Sequence, residues 1–289
     1  MHSLFNISEV VEILREVNYI DEEEVARIRD FVNGNQVVFQ EKKRLSYEQK
    51  LEITEHSFAK KILEIAIEKR SNLIASADFI TTQELLNFAD IVGPHIVALK
   101  THIDILNDFD ADETILPLKD LAAKHNFLLM EDRKFADIGN TQELQFSYGT
   151  FKISNWADLI TSHVIGGSKS LDCFVNAGIV AILGMSSEGT LTDSHYREEA
   201  LKIIENHPNI VGCVAQNKVP DNILLFTPGI NLGTSGDGKG QQYNSPEHVI
   251  KNYNTDFIIV GRGIYKADDP ELEALRYKTE GWQAYQDAL

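Results

Sequence analysis

The sequence of 289 residues predicts an α/β fold, a (β/α)8 TIM barrel preceded by an N-terminal helical linker segment. From about residue 50 onward, short apolar runs alternate with longer stretches of helical character, a pattern typical of parallel strands joined by helical crossovers. Polar residues follow nearly every run, as the active face of a barrel requires. Both observations favour a closed barrel with its functional site at the carboxyl ends of the strands.

Eight apolar runs predict eight strands, at residues 73–75, 96–99, 127–130, 159–161, 180–183, 210–214, 224–226 and 257–260. The sixth and seventh runs are close together, so the crossover between them is expected to be small or irregular. A doubly wound open sheet is the alternative that the runs alone allow. The polar residues after the runs favour the barrel, and they are, in chain order, Asp78, Lys100, Asp132 with Lys134, His163, Ser186, Gln216, Gly229 and Arg262.

The N-terminal segment differs from the rest of the chain. Asn6 with Glu9, and Asp21 with Glu24, have the spacing of a helix N-cap and its partner three residues later, and Gly34 is suited to end the second helix. We therefore expect a helical hairpin and linker at residues 1–46 and a barrel domain at residues 47–289.

The composition excludes several classes of function. Lys and Arg total 27 against 44 Asp and Glu, a formal charge of −17, which argues against a general affinity for nucleic acid or an anionic membrane. Cys173 and Cys213 are far apart, so neither a disulfide framework nor a zinc site is indicated. The chain lacks a long apolar run and a signal peptide at its start, and we expect a cytoplasmic protein.

A group of opposite charges follows the second and third predicted strands. Asp132 and Lys134 are two residues apart and would project to the same side of an extended strand. Lys100 ends the neighbouring strand, and Asp137 lies three residues beyond Lys134. A structural salt-bridge network is one interpretation, but desolvation makes a buried ion pair a poor stabilising device. The group therefore favours a site with tuned protonation, in which a lysine donates a proton.

The segment after the seventh strand is rich in glycine. Residues 227–240 contain five glycines, and Arg262 stands between Gly261 and Gly263 after the eighth strand. Loops after strands seven and eight of a barrel often bind phosphate through amide groups, and an arginine adds a charge-assisted contact. A flexible surface loop is the alternative for the glycine segment.

The motifs at residues 76–78, 99–104, 131–141, 240–246 and 260–263 together resemble the orotidine 5'-phosphate decarboxylase family, in the form found as the second half of bifunctional uridine 5'-monophosphate synthases. The similarity covers about residues 50–289. Residues 1–46 resemble the segment that joins the two halves of such synthases. The resemblance implies an orotate phosphoribosyltransferase domain, missing from this sequence, as a further partner.

The resemblance implies that orotidine 5'-phosphate loses its C6 carboxylate as carbon dioxide and becomes uridine 5'-monophosphate, without a metal or an organic cofactor. It implies that Lys134 protonates C6 and that Asp132 lies near the departing carboxylate. It further implies that Lys100 orients the charged groups and contacts ribose, and that Asp137 reaches the site of the other subunit in a homodimer with shared active sites.

The resemblance also assigns the substrate-binding residues. It implies that Asp78 binds ribose, that Ser76 and Ser186 contact the pyrimidine, and that Ile138 and Thr141 enter the partner's site. It implies that Gln241, Tyr243 and the Gly261-Arg262 pair hold the phosphate. The full set is Ser76, Asp78, Ile138, Thr141, Ser186, Gln241, Gln242, Tyr243, Gly261 and Arg262.

Two other functions remain open from the sequence. One is a metal-dependent sugar-phosphate lyase or epimerase of the same suprafamily, which also uses an Asp-x-Lys-x-x-Asp arrangement. The other is a non-catalytic isoform that dimerises with a longer protein. The matches at Ser186, Gln241 and Tyr243 favour a pyrimidine nucleotide, and the intact catalytic positions argue against an inactive isoform.

Overall fold

The computed structural model of the protein describes residues 7–34, 44–233 and 244–289. Within these residues, eight parallel strands form one closed barrel, in which each strand pairs with the next and the last pairs with the first. All eight predicted runs overlap strands, so the barrel is confirmed and the open sheet is wrong. The strands are β1 (Leu73–Ala77), β2 (Ala98–Thr101), β3 (Leu128–Phe135), β4 (Leu159–His163), β5 (Gly178–Ile182), β6 (Ile210–Val214), β7 (Leu224–Thr227) and β8 (Phe257–Val260).

The α-helices after residue 44 cover the outside of the barrel, so that strands such as β1 and β5 are buried along their whole length. As expected, residues 215–223 between β6 and β7, all of them described, contain no helix. The helices in this part of the chain are α3 (Tyr47–Ile53), α4 (Ser57–Lys69), α5 (Thr82–Val92), α6 (Leu116–His125), α7 (Gly139–Glu143), α8 (Ser194–Asn206), α9 (Pro246–Tyr253), α10 (Arg262–Tyr265) and α11 (Pro270–Asp287).

The chain separates into two compact units, Met1–Lys43 and Arg44–Leu289. The first contains the helices α1 (Ile7–Glu16) and α2 (Glu22–Gly34). At the start of α2, the amide of Glu24 donates to Asp21 Oδ1 over 2.8 Å and the amide of Asp21 donates to a Glu24 carboxylate oxygen over 3.2 Å. This is the predicted reciprocal cap, whereas the cap at Asn6 lies outside the described residues. No helix in the described ranges is both long and apolar enough to cross a membrane.

A buried carboxylate connects several elements at the amino-terminal end of the barrel. Asp256, directly before β8, accepts hydrogen bonds from Arg44 Nη2 at 3.0 Å, from Lys50 Nζ at 2.8 Å and from the amide of Leu225 at 2.8 Å. All three charged side chains are almost fully buried. The carboxylate therefore connects helix α3, and Arg44 three residues before that helix, to strands β7 and β8.

We predict that Asp256→Asn lowers the free energy of unfolding by about 3–5 kcal/mol, because a buried cation loses its counter-charge. Urea denaturation of the variant and the wild type measures the difference. Glu247→Gln is the matched control, since it removes the partner of Lys251 in an exposed pair and surface pairs contribute little. Equal stability of Asp256→Asn and Glu247→Gln would contradict this account of the buried network.

Candidate active site

A cavity of about 280 Å³ opens at the carboxyl ends of the strands, where barrels carry their active sites. Its walls come from the ends of most strands and from the loops that follow them. Eight of the predicted site residues line it: Ser76, Asp78, Lys100, Asp132, Lys134, Ser186, Gly261 and Arg262.

Three of these residues form an ionic cluster, which we define as Lys100, Asp132 and Lys134. Lys100 Nζ lies 2.7 Å from Asp132 Oδ2, and Lys134 Nζ lies 2.7 Å from Asp132 Oδ1. The side chains of Lys100 and Asp132 are only 8% and 10% exposed, whereas that of Lys134 is 32% exposed. Lys134 is thus the more accessible of the two ammonium groups.

His102 extends the ionic cluster to strand β1. Its Nδ1 lies 2.8 Å from Asp78 Oδ1, and its Nε2 lies 3.2 Å from Asp132 Oδ2. Burial alone would lower the pKa of His102, but the hydrogen bonds to Asp132 and Asp78 outweigh burial and raise it. His102 was not among the residues predicted for the site. The available signal was its position two residues after Lys100, because alternate residues at a strand end face the same way.

The surrounding cations keep both carboxylates ionised. Burial opposes ionisation of Asp132, but the charge of Lys100, the hydrogen bond from His102 and the charge of Lys134 hold its pKa well below the ordinary value. The pKa of Asp78 is also lowered, because the hydrogen bond from His102 and the charge of Lys100 outweigh burial. The cavity therefore presents fixed charges of both signs near neutral pH.

The backbone at Lys134 is left-handed, with φ = 50°. The pairing of β3 with β4 shifts register between Glu131 and Phe135, so the extended conformation assumed for Asp132 and Lys134 does not continue through Lys134. A left-handed non-glycine residue costs of order 1–3 kcal/mol. The side chain of Lys134 still meets Asp132, but a bulge in the strand brings it there.

Thr161, on β4, contacts both residues of this bulge. Its hydroxyl donates to Asp132 Oδ1 over 2.8 Å and accepts the backbone N–H of Lys134 over 2.9 Å. Thr161 was not among the residues predicted for the site, because the pairing of a β4 side chain with an irregular part of β3 depends on strand register, and strand register has no local signal in the sequence.

The three residues assigned to a partner's site lie elsewhere. Asp137, Ile138 and Thr141 follow β3, and none of them is among the described residues that line the cavity. Asp137 and Ile138 are exposed, and the Asp137 carboxylate accepts the amide of Ile138 over 2.7 Å. Their assignment to another subunit stays a prediction.

The phosphate end is described in part. Gly261 and Arg262 line the cavity together with Gly229 of the glycine-rich segment, whereas Gln241, Gln242 and Tyr243 lie outside the described residues. Lys100, Lys134 and Arg262 outnumber the carboxylates of Asp78 and Asp132 among the charged residues of the lining. The cavity thus has a local excess of positive charge in a protein of net charge −17, as an anionic ligand requires.

Glu131 supports the site from the outer side of β3. Its carboxylate accepts the hydroxyl of Thr101 over 2.7 Å and the amide of Ile103 over 3.1 Å and 3.2 Å, and the residue is fully buried. These bonds fix the residues on either side of His102. Burial raises the pKa of Glu131 to about 7, although the hydrogen bonds from Thr101 and Ile103 oppose the rise.

We predict that Glu131→Gln changes how stability depends on pH. Between the ordinary pKa of 4.5 and about 7, the folded wild type keeps a proton that the unfolded chain has released, so its free energy of unfolding falls as pH rises. Glutamine does not titrate. As pH rises from 4.5 to 7, the free energy of unfolding of the variant should therefore increase relative to that of the wild type by up to about 3 kcal/mol.

Urea denaturation across this pH range measures the effect. Glu188→Gln, at an exposed position, is the control and should follow the wild-type curve. A Glu131→Gln curve that also runs parallel to the wild type would contradict the raised pKa.

The fold and the charged cavity define a TIM-barrel enzyme with an anion-binding site. The model of the orotidine 5'-phosphate decarboxylase / HUMPS family matches residues 71–277. The chain belongs to this family.

Curated relatives agree with the family match. The chain is 41% identical over 256 residues to an orotidine 5'-phosphate decarboxylase of Eremothecium gossypii, a match that covers 83% of this chain and 96% of the relative. It is 38% identical over 311 residues to a uridine 5'-monophosphate synthase of Naegleria gruberi. That match covers 100% of this chain but 63% of the synthase.

Solved structures share the fold at low sequence identity. A uridine 5'-monophosphate synthase of Leishmania donovani matches with a TM-score of 0.60 and 20% identity, over 80% of this chain and 57% of the other. An orotidine 5'-monophosphate decarboxylase of Methanocaldococcus jannaschii, solved with the inhibitor BMP, matches with a TM-score of 0.55 and 21% identity, over 73% of this chain and 98% of the other.

Proposed function

We propose that the protein is a carboxy-lyase that converts orotidine 5'-phosphate to uridine 5'-monophosphate, the last step of de novo pyrimidine nucleotide synthesis. The observation that carries the proposal is the ionic cluster of Lys100, Asp132 and Lys134 inside the cavity. Family membership and the relatives named orotidine 5'-phosphate decarboxylase support the same activity.

Lys134 is the proton donor. When the bond between C6 and the carboxylate breaks, carbon dioxide leaves and the electron pair stays on C6, where the nearby ammonium charge stabilises it. The proton of Lys134 then forms the new C–H bond at C6, and water returns a proton to the lysine. The partial exposure of Lys134 to the cavity is what this role requires.

Asp132 and Lys100 prepare Lys134 for this step. The ionised carboxylate of Asp132 lies 2.7 Å from Lys134 Nζ, where it holds the ammonium group in place, and it lies near the departing carboxylate of the substrate. Lys100 neutralises the other oxygen of Asp132, orients the ionic cluster and contacts ribose. The charges are in place before the substrate binds, so little reorganisation is needed during the reaction.

The remaining cavity residues bind the substrate away from C6. Asp78 binds ribose, Ser76 and Ser186 contact the pyrimidine, and Gly261 with Arg262 binds the phosphate. Gln241 and Tyr243 also bind the phosphate, and Gln242 is a further substrate-binding residue. Binding energy from the remote phosphate can then favour the closed, reactive arrangement.

The enzyme is a homodimer with shared sites, in which Asp137, Ile138 and Thr141 of one subunit complete the site of the other. The exposure of Asp137 and Ile138 outside the cavity of their own chain supports this arrangement.

Residues 47–289 are the decarboxylase domain. Residues 1–46 are a linker of the kind that joins an orotate phosphoribosyltransferase domain in a uridine 5'-monophosphate synthase. The free thiols of Cys173 and Cys213 are consistent with the cytoplasm.

The metal-dependent lyase is the second candidate, because it shares the Asp-x-Lys-x-x-Asp arrangement. Each oxygen of Asp132 already faces two donors: Oδ1 faces Lys134 and Thr161, and Oδ2 faces Lys100 and His102. A divalent cation at Asp132 would have to displace positively charged groups. This arrangement favours the decarboxylase over the lyase, and the intact ionic cluster likewise argues against a non-catalytic isoform.

We predict that Lys134→Ala lowers kcat for decarboxylation by at least about 10³-fold, because the variant loses both the proton donor and the stabilising charge. The loss of absorbance of orotidine 5'-phosphate measures turnover, and circular dichroism checks the fold. Lys152→Ala is the matched control, since Lys152 is exposed and also left-handed, with φ = 39°. A Lys134→Ala enzyme with wild-type kcat would refute the role of Lys134.

The same assay distinguishes the candidate functions. Wild-type decarboxylation that survives excess chelator supports the proposal, whereas activity that is lost with the chelator and restored by a divalent metal supports the lyase chemistry. No decarboxylation by the wild type under either condition would refute the proposed function.

We predict that inactive Lys134→Ala and Asp137→Ala chains regain activity when they are mixed. In each hybrid dimer, one site combines the wild-type Lys134 of one chain with the wild-type Asp137 of the other. About a quarter of wild-type activity is expected after complete random exchange of equal amounts, because half the dimers are hybrids with one intact site each. Absence of recovery after verified subunit exchange would show that the two residues serve the same chain's site.

A further inference from the structure

Thr161 occupies the position at which regular pairing between β3 and β4 fails. Glu131 pairs with Ile160, and Phe135 pairs with Ser162, so four steps along β3 correspond to two steps along β4. The extra residues of β3 include Asp132 and Lys134. Their polar groups need partners that the regular pairing of strands does not supply at this point.

The hydroxyl of Thr161 is a hydrogen-bond partner for both Asp132 and Lys134. Its single hydrogen is directed to Asp132 Oδ1 at 2.8 Å, and its oxygen accepts the backbone N–H of Lys134 at 2.9 Å. Asp132 Oδ1 is also the oxygen that binds Lys134 Nζ at 2.7 Å. One hydroxyl therefore holds the main chain of Lys134 directly and its ammonium group through Asp132.

We propose that Thr161 is a positioning residue that fixes the proton-donating geometry of Lys134. The left-handed backbone of Lys134 is otherwise unfavourable, and the Thr161 hydroxyl satisfies the amide that this conformation turns toward β4. Thr161 is 1% exposed although it lines the cavity, so its hydroxyl is directed to these two partners and not to solvent. The inference rests on the proposed function for its kinetic effects, but the geometry that it concerns can be measured separately.

Thr161→Val tests the proposal, because valine keeps the shape of threonine and removes the hydroxyl. We expect kcat for decarboxylation to fall by about 10- to 100-fold, since a displacement of about 1 Å at a reacting group can cost 10²-fold. KM should stay within about threefold of wild type, because the lost bonds go to Asp132 and Lys134. Thr161→Ser keeps the hydroxyl, so its kcat should lie within about threefold of wild type. Thr161→Ala removes the hydroxyl without adding bulk, so its kcat should fall as in Thr161→Val.

Ser162→Ala is the matched control on the same strand. The buried Ser162 hydroxyl lies within bonding distance of the backbone carbonyls of Phe135 and His163, at 3.1 Å and 3.0 Å, and does not contact the ionic cluster. Its removal disturbs the same junction of β3 and β4 and should leave kcat within about threefold of wild type. Urea denaturation of all variants shows whether losses of kcat merely follow losses of stability.

Wild-type kcat in the valine or alanine variant would overturn the proposal, as would a rise in KM at unchanged kcat, which would indicate direct substrate contact. An equal fall of kcat in Ser162→Ala would also overturn it.

Crystal structures of Thr161→Val and wild type give the independent readout: we expect the amide or Nζ of Lys134 to move by about 1 Å. An unmoved Lys134 would overturn the proposal, whereas a moved Lys134 in a protein without decarboxylase activity would refute only the proposed function.

Discussion

The arrangement of the site depends on the carboxylate of Asp132. It lies between Lys100, Lys134, His102 and Thr161, each within 3.2 Å. These partners come from β2, β3 and β4 and from the residue after β2, and His102 continues the contacts to Asp78 after β1. The carboxyl ends of four strands, β1 to β4, are therefore linked through one side chain. A buried carboxylate with this many donors stays ionised, and it keeps two ammonium groups beside the cavity that would otherwise repel each other.

Two neighbouring carboxylates on β3 have opposite electrostatic environments. Asp132 faces the cavity among cations, and its pKa lies well below the ordinary value. Glu131 faces outward among the neutral donors Thr101 and Ile103, and burial raises its pKa to about 7. The difference arises because adjacent residues of a strand point to opposite sides. The side of Asp132 supplies positive charge, whereas burial and hydrogen bonds from neutral groups have the largest effects on Glu131.

The two ends of the barrel use buried charge differently. At the amino-terminal end, Asp256 binds Arg44 and Lys50 where all three are nearly inaccessible, which suits a structural connection. At the carboxyl end, Lys134 keeps a third of its side chain exposed to the cavity. Ion pairing holds groups in place at both ends, but only the second end leaves a charged group available for chemistry.

The sequence by itself determined the eight strands, the polar residues at their carboxyl ends and the grouping of Lys100, Asp132 and Lys134, because strand periodicity and the polarity of barrel ends are local patterns. The reciprocal cap of α2 at Asp21 and Glu24 is equally local. Only the tertiary structure decided the left-handed backbone of Lys134, the double contact of Thr161 and the bridge formed by His102. These features depend on the register between β3 and β4 and on distances between separate strands, and a lysine carries no local signal for a left-handed conformation.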